Sequence, residues 1–458
     1  MGEAHRAGGR VTSLRRYRLD VRVGEHTANP SPASLRARYT RRHLDPRERG
    51  DVRILVVGSG GVGAAFAPIA ARRDFYEAVV FADHDEGRAW SVVDRYDGGK
   101  GRFASAKVDA SDASAVAELC RAERITHVLN AVDPRFVMPI FDGAFDAGAT
   151  YLDMAMSLSR PDPREPYTKS GVKLGDEQFA KAAAWEDRGL LALVGIGVEP
   201  GLSDVFARYA ADELFSSIDE AGVRDGANLV VHGYDFAPGF SIWTTIEECL
   251  NPPVVWERER GWFTLEPFSE PEVFTFPEGI GPVECVHVEH EEVLLIPRWV
   301  DCGRVTFKYG LGEEFIEVLK VLRKLGLDGT DPVTVRGQQV SPRDVVAAVL
   351  PDPATLGPQM TGMTCAGTWV HGTGKDGDAR EVYLYHVVAN EETWGKDRAQ
   401  AVVWQTAINP VVALELLANG TWSGAGVLGP EAFAPRPFLD LLTEYGSPWG
   451  IEERRIRT

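Results

Sequence analysis

Three glycines and one acid carry the clearest chemistry in this chain: Gly58, Gly60 and Gly63 in the run Gly58-Ser59-Gly60-Gly61-Val62-Gly63, and Asp83. The spacing is G-x-G-x-x-G. The first glycine permits a tight turn, the second lets the main chain approach a diphosphate, and the third lets a helix pack against a strand. A helix opening there offers free N–H groups and the positive end of its dipole to phosphate oxygens. Asp83 follows at the distance where a ribose-binding acid is expected, near the end of the next apolar run. Its carboxylate accepts from ribose hydroxyls and repels a 2′-phosphate, so NAD is the expected cofactor. His84 or Arg88 can meet a phosphate, which leaves NADP open. Ser59, Gly61 and Val62 complete the phosphate turn. Asp109 is placed toward the adenine, and Asn130 and Ala131 toward the nicotinamide side.

Those residues need a strand before the glycines and a helix after them. "RILVVG" (53–58) reads as a buried strand and "GAAFAPIAARR" as a helix, with Pro68 in or near its first turns. Residues 77–83 read as the next strand and "DEGRAWSVVDRY" as the next helix. "FASAKVDASD", "ASAVAELCRAE", "ITHVLNAVDP", "RFVMPIFDGAFDAG" and "TYLDMAM" continue the alternation, which predicts a parallel sheet with right-handed crossovers. A polar, Pro-rich loop (157–176) follows, then a helix at "EQFAKAAAWEDRG", a strand at "LLALVGIG", a loop at "VEPGLSD" and a helix at "VFARYAADEL". From about residue 224, "ANLVVHGYDF", "ECVHVEHEEVLLIPRW", "RVTFKYGL", "GTWVHGTG" and "REVYLYHVVA" read as strands of a mostly antiparallel sheet. "EFIEVLKVLRKLGL" is an amphipathic helix against it. After 396, "DRAQAVVWQTAINPVVALELLANG" reads as a helix interrupted near Pro410.

The expected fold class is α/β, a doubly wound parallel sheet with an inserted α+β domain. The boundaries are a basic arm at 1–50, a dinucleotide-binding domain at 51–215, a substrate-binding and dimerisation domain at 216–395, and a helical segment at 396–458 returning to the first domain. Net charge is −18, but the first 50 residues hold twelve arginines, no lysine and five acids. The body is therefore strongly acidic, which disfavours nucleic acid as a partner. The arm resembles a transit peptide in its arginines but not in its acids; a surface tail or an over-extended start of translation also fits. No uninterrupted apolar run reaches the roughly 18 residues of a membrane span. Five scattered cysteines with no CxxC pair predict neither a disulfide framework nor a zinc ribbon, and suit the cytoplasm.

The segments "VVGSGGVG", "VLNAVDP", "DAGATYLDMA" (146–155), "GIGVEPGLSD" (195–204) and "GTWSGAGVLGPEAF" (420–433) together resemble the saccharopine dehydrogenase family, in the sense of saccharopine reductase and lysine 6-dehydrogenase. The likeness extends over most of residues 52–440. It implies a Rossmann domain, an inserted domain that holds substrate and mediates a homodimer, and hydride transfer at a C–N bond in amino-acid metabolism, lysine included. Two positions depart from that family's pattern: Glu199 stands where Asp is common, and Asp204-Val205 where the reductases carry Asp-His.

Hydride transfer to an imine needs a held nicotinamide and a proton source near the nitrogen. Asp153 follows a strand at "TYLD" and faces the expected crevice, either as a catalytic acid–base group or as a structural cap. Glu199 sits on the next such loop, where it positions nicotinamide or a substrate ammonium, or binds turn amides. Arg135 is placed to grip a substrate carboxylate or to form a surface ion pair. Arg298 and Lys308 are further candidate carboxylate binders. Strand alternation puts Cys285, His287 and Glu289 on one face, which lines the cleft with His287 as its catalytic group, lies on a solvated surface, or holds a metal. No further ligand is evident, and no metal site is expected.

"HGTGKDGD" (371–378) lacks the glycine spacing of a phosphate loop and reads as a hairpin turn. No G-x-S-x-G elbow supports a serine triad. The function read here is an NAD(P)-dependent oxidoreductase acting on an amine or amino-acid substrate. The alternatives are an enoyl-type C=C reductase, an enzyme of homospermidine synthase type that retains its NAD, and a non-enzymatic NAD-binding protein.

Overall fold

A computed structural model describes residues 52–454, together with the strands Arg18–Asp20 and Arg38–Thr40, which pair antiparallel. Apart from those strands, the expectations for the basic arm lie outside the described residues.

Seven parallel strands form the first sheet, in the order Gly426–Leu428, Leu191–Leu193, Thr150–Asp153, His127–Asn130, Arg53–Val57, Ala78–Asp83, Phe103–Lys107. Helices on both faces explain why the central strands read as apolar runs: Ile54, Leu55 and Val56 have no exposed surface. The helices Gly61–Ala70, Glu86–Tyr96, Ala113–Ala122 and Val137–Ala147 stand where the sequence places them. Asp85 and Asp112 cap the second and third by accepting from Gly87 N and from Ser114 and Ala115 N.

The second sheet has nine strands. Its main path runs Gly261–Thr264, Val254–Glu257, Cys302–Tyr309, Phe215–Ala227, Met363–Gly374, Ala379–Ala389, Gly450–Glu453, and the pair Glu272–Phe276 with Gly281–His287 joins at Cys302–Tyr309. The sheet is mixed, because Cys302–Tyr309 runs parallel to Phe215–Ala227.

Two local expectations are corrected, and two elements appear where the sequence was not read. "SSIDEAGVRDGA" belongs to the long strand Phe215–Ala227, its apolar face masked by glycines and charges. "ECVHVEHEEVLLIPRW" is not one strand: it ends at His287, and Glu292–Trp299 is helical. Val293 to Ile296 are buried on every side, and such a run has no period to separate helix from strand. Ile242–Leu250 is a helix capped by Ser241. Ala401–Ala418 is a continuous helix through Pro410, with Asn409 Nδ2 donating to the Gln405 carbonyl (2.8 Å). Among the described residues it is the one helix apolar and long enough to cross a membrane, and 78% of it is buried inside the protein.

Candidate active site

The glycine-rich turn joins the strand Arg53–Val57 to the helix Gly61–Ala70. Gly58 has φ +100°, and a Cβ there would stand 2.6 Å from the Ala131 carbonyl; one on Gly63 would stand 1.9 Å from the Gly58 carbonyl. A Cβ on Gly60 would meet nothing within 4 Å, so the backbone is bare and open on that side. Gly60 is the N-cap and supplies no side chain, leaving the first amides of the helix free. The Ser59 hydroxyl is buried without a hydrogen-bond partner. Bare amides, an open glycine and an orphaned hydroxyl fit the diphosphate of NAD(P).

Asp83 is 7% exposed. Its Oδ2 accepts from Ser59 N (2.9 Å), its Oδ1 from Asp85 N (2.9 Å), and His84 Nδ1 lies 2.9 Å from Oδ1. The acid therefore ties the glycine-rich turn to the next strand, while Oδ2, with one partner, keeps a second lone pair for a ribose hydroxyl. Asp109 is exposed and accepts from the amide and hydroxyl of Ser111, which hold its carboxyl below the ordinary value. Asn130 donates to the Tyr151 hydroxyl and accepts from Val132 N, fixing the turn through Ala131.

Beside this turn opens a cleft of about 250 Å³ between the two sheets. Val62, Asn130 and Ala131 form one wall; Glu199, Asp225, Glu248, His290 and Tyr309 form the other. Among the described residues no lysine or arginine lines it. The second wall is assembled from five segments: the loop after Leu191–Leu193, the strand Phe215–Ala227, the helix Ile242–Leu250, the turn after Gly281–His287, and the strand Cys302–Tyr309.

His290 is 5% exposed, and its ring stacks on Phe307 at 3.9 Å and 8°. Nδ1 lies 2.6 Å from Glu292 Oε2 and 3.3 Å from Glu291 Oε2. Burial alone would lower its pKa, but Glu292, Glu291 and Glu248 outweigh burial and raise it to about 10. The other acids of the wall are pushed up. Burial, then the charges of Asp225 and Glu292, raises Glu199 well above its ordinary value; Gly367 N donates to its Oε1 at 3.2 Å, and its Oε2 is unpartnered. Burial raises Asp225 to about 6, against the pull of Glu199 and His290. Burial raises Glu248 to about 8.

Of the residues expected to react or bind substrate, Glu199 lines the cleft. Arg135 stands at its rim beside Asp133 and Pro134, paired with Asp133 (2.9 Å) and lying 4.3 Å over the Trp243 ring. Asp153 is fully buried behind the wall, accepting from Gly195 N and Gln178 Nε2, both at 2.7 Å; burial raises it to about 7. His287 faces away from the cleft: Nδ1 meets the Phe307 carbonyl (3.1 Å) and Nε2 meets Glu270 (3.2 Å), and burial lowers its pKa to about 4. Cys285 packs with Phe274, Phe276 and Tyr383, while Glu289 accepts from Ser159 and Asn251, so the face expected from alternation disperses. Arg298 lies 3.8 Å over Phe179 and donates to the Leu294 carbonyl. Lys308 donates to the Glu270 carbonyl and pairs with Glu272 (3.1 Å). Neither cation lines the cleft.

Comparison with known proteins gives a consistent picture. The family pattern "Saccharopine dehydrogenase NADP binding domain" matches residues 54–193, and "Saccharopine dehydrogenase C-terminal domain" matches residues 197–447. Carboxynorspermidine synthase of Vibrio alginolyticus is 30% identical over 408 residues, 87% of this chain and 97% of that protein. Carboxyaminopropylagmatine dehydrogenase of Synechocystis sp. is 28% identical over 398 residues, 87% of this chain and 96% of that one. Among solved structures, apo saccharopine dehydrogenase (L-Glu forming) of Saccharomyces cerevisiae superposes with a TM-score of 0.63 at 14% identity, covering 88% of this chain and 100% of that one.

Proposed function

The chain belongs to the saccharopine dehydrogenase family, and from that premise we infer that it reduces an imine of a multiply charged amine, giving a carboxylated polyamine. It is an NAD(P)-dependent oxidoreductase acting at a C–N bond of a small amine substrate. The observation that carries the finer reading is the cleft wall: Glu199, Asp225 and Glu248 face the space beside the glycine-rich turn with no lysine or arginine among them. Such a wall attracts ammonium groups and repels a substrate that is mainly anionic. The two curated relatives carry carboxylated polyamine-type compounds in their names. An enoyl-type reductase would call for a mainly apolar wall instead.

Bound NAD(P)H supplies the hydride. The chain's part is to hold the diphosphate on the amides after Gly60, to draw the substrate's ammonium groups to Glu199, Asp225 and Glu248, and to meet a substrate carboxylate with Arg135 at the rim. Asp83 favours NADH over NADPH through like-charge repulsion of a 2′-phosphate. The acting unit is a homodimer built on residues 216–395, with 51–215 as the nucleotide domain and 396–458 returning to it; five buried, unpaired cysteines suit a reducing cytoplasm. The test is loss of the reduced-nicotinamide absorbance with a diamine mixed with a carboxylate-bearing aldehyde, against its appearance when oxidised cofactor is mixed with lysine or saccharopine in parallel. Turnover with the diamine mixture is expected. Turnover with lysine or saccharopine alone overturns the polyamine reading.

A further inference from the structure

Resting on the imine-reductase reading, we propose that His290 is the proton donor of the reaction and that Glu292 is its positioning residue. The ring is fixed at three places. Its plane lies on Phe307, its Nδ1 is tied to Glu292 Oε2 at 2.6 Å, and the second oxygen of Glu292 accepts from Ser203 Oγ at 3.0 Å. Nδ1 is therefore spent inside the protein. Nε2 has no partner among the described residues, and the residue lines the cleft. A carboxylate holding one ring nitrogen so that the other meets the reacting atom is an arrangement suited to proton transfer.

The surroundings keep a proton there. Glu291 and Glu292 face the imidazole from its own turn, Glu248 from the helix Ile242–Leu250, Asp225 from the strand Phe215–Ala227 with Glu199 against it, and Tyr309 from the strand Cys302–Tyr309. The ligand atoms of His290, Glu291 and Glu292 lie within 4.8 Å of one another, with the imidazolium as the cation of that group. Arriving hydride forms the new C–H bond, and the π pair of C=N moves onto nitrogen. The nitrogen takes the Nε2 proton and becomes a secondary amine. Two electrons have left NAD(P)H, which becomes NAD(P)⁺, and neutral imidazole regains its proton from water entering the cleft.

The experiment compares His290→Asn, His290→Ala and Glu292→Gln with the unaltered enzyme, each shown to be folded and to bind the dinucleotide as before. With an imine of a primary amine, kcat of His290→Asn falls about 100-fold or more, the size of a lost general acid. Added imidazole restores part of the rate in His290→Ala. In Glu292→Gln the alkaline fall of kcat moves to lower pH, because one of the charges holding the proton is gone. An iminium made from a secondary amine carries its charge without this proton, so His290→Asn reduces it nearly as fast as the unaltered enzyme does. Loss of less than about threefold in His290→Asn with the imine of a primary amine, or an equal loss with both substrates and no imidazole rescue or change of pH profile, overturns the assignment alone. No reduction of any imine by the unaltered enzyme overturns the reading beneath it as well.

Discussion

Glu199 and Asp225 share one wall of the cleft, and burial raises both carboxyls above their ordinary values. Charge that binds an ammonium is therefore absent below Asp225's value of about 6 and present above it. KM for a polyamine-derived substrate should fall as pH rises from 5.5 to 7.5, and Asp225→Asn should flatten that dependence while raising KM about tenfold; initial rates across pH measure both. At the other end of the site, NADH should raise the melting temperature more than NADPH does, and Asp83→Ser should narrow that difference. An unchanged preference would remove Asp83 from the discrimination. Gly58 to Gly63, Asp83 and Glu199 were legible in the sequence because each sits at a strand end, where a parallel sheet always delivers its chain to the crevice. His290, Asp225 and Glu248 were not legible. They come from three separate segments whose meeting depends on register in the second sheet, and a period of two pointed to His287 instead, whereas the strand ends there and the chain turns.

At the scale of elements, the turn and helix at Gly58–Ala70 set two opposite demands. Gly63→Ala would drive a Cβ into the Gly58 carbonyl, a backbone atom that cannot give way, so unfolding should become easier by about 3 kcal/mol or more. Gly60→Ala has open space around its Cβ. It should melt within a few degrees of the parent and still lose at least tenfold in dinucleotide affinity by tryptophan quenching, since the methyl occupies the diphosphate's approach. A second test concerns the helix Leu202–Tyr209, whose Asp204 lies against Glu431 of the short helical turn Pro430–Ala432, both fully buried. Burial raises Glu431 to about 7 and Asp204 well above its ordinary value. Their contribution to stability is full at low pH and is lost as pH rises through these raised values. The melting temperature should therefore be higher at pH 6 than at pH 8.5, and Glu431→Gln should shrink the gap, an effect of about 1–3 kcal/mol. Six strands of the first sheet could be read from the sequence, most of them as apolar runs closed by Gly, Asp or Asn, whereas Gly426–Leu428, in the segment expected to be helical, was not. The second could not be read in detail: Phe215–Ala227 carries acids at its exposed and half-buried positions and glycines at buried ones, and the all-buried run at Val293–Ile296 has no period at all.

For the whole molecule, the acidic body, the dinucleotide turn and the paired sheets make one expectation measurable in solution. Light scattering should give twice the chain mass of 50.1 kDa if the homodimer is the acting unit, and a single chain mass would dismiss it. The strand Gly426–Leu428 pairs with Leu191–Leu193 in the first sheet, although residues 194–425 intervene. A ribosome therefore releases the nucleotide fold with one margin unfinished, and nearly the whole protein must emerge before the last strand can be laid down. Until then Leu191–Leu193 is an edge strand whose outer N–H and C=O groups await their partner.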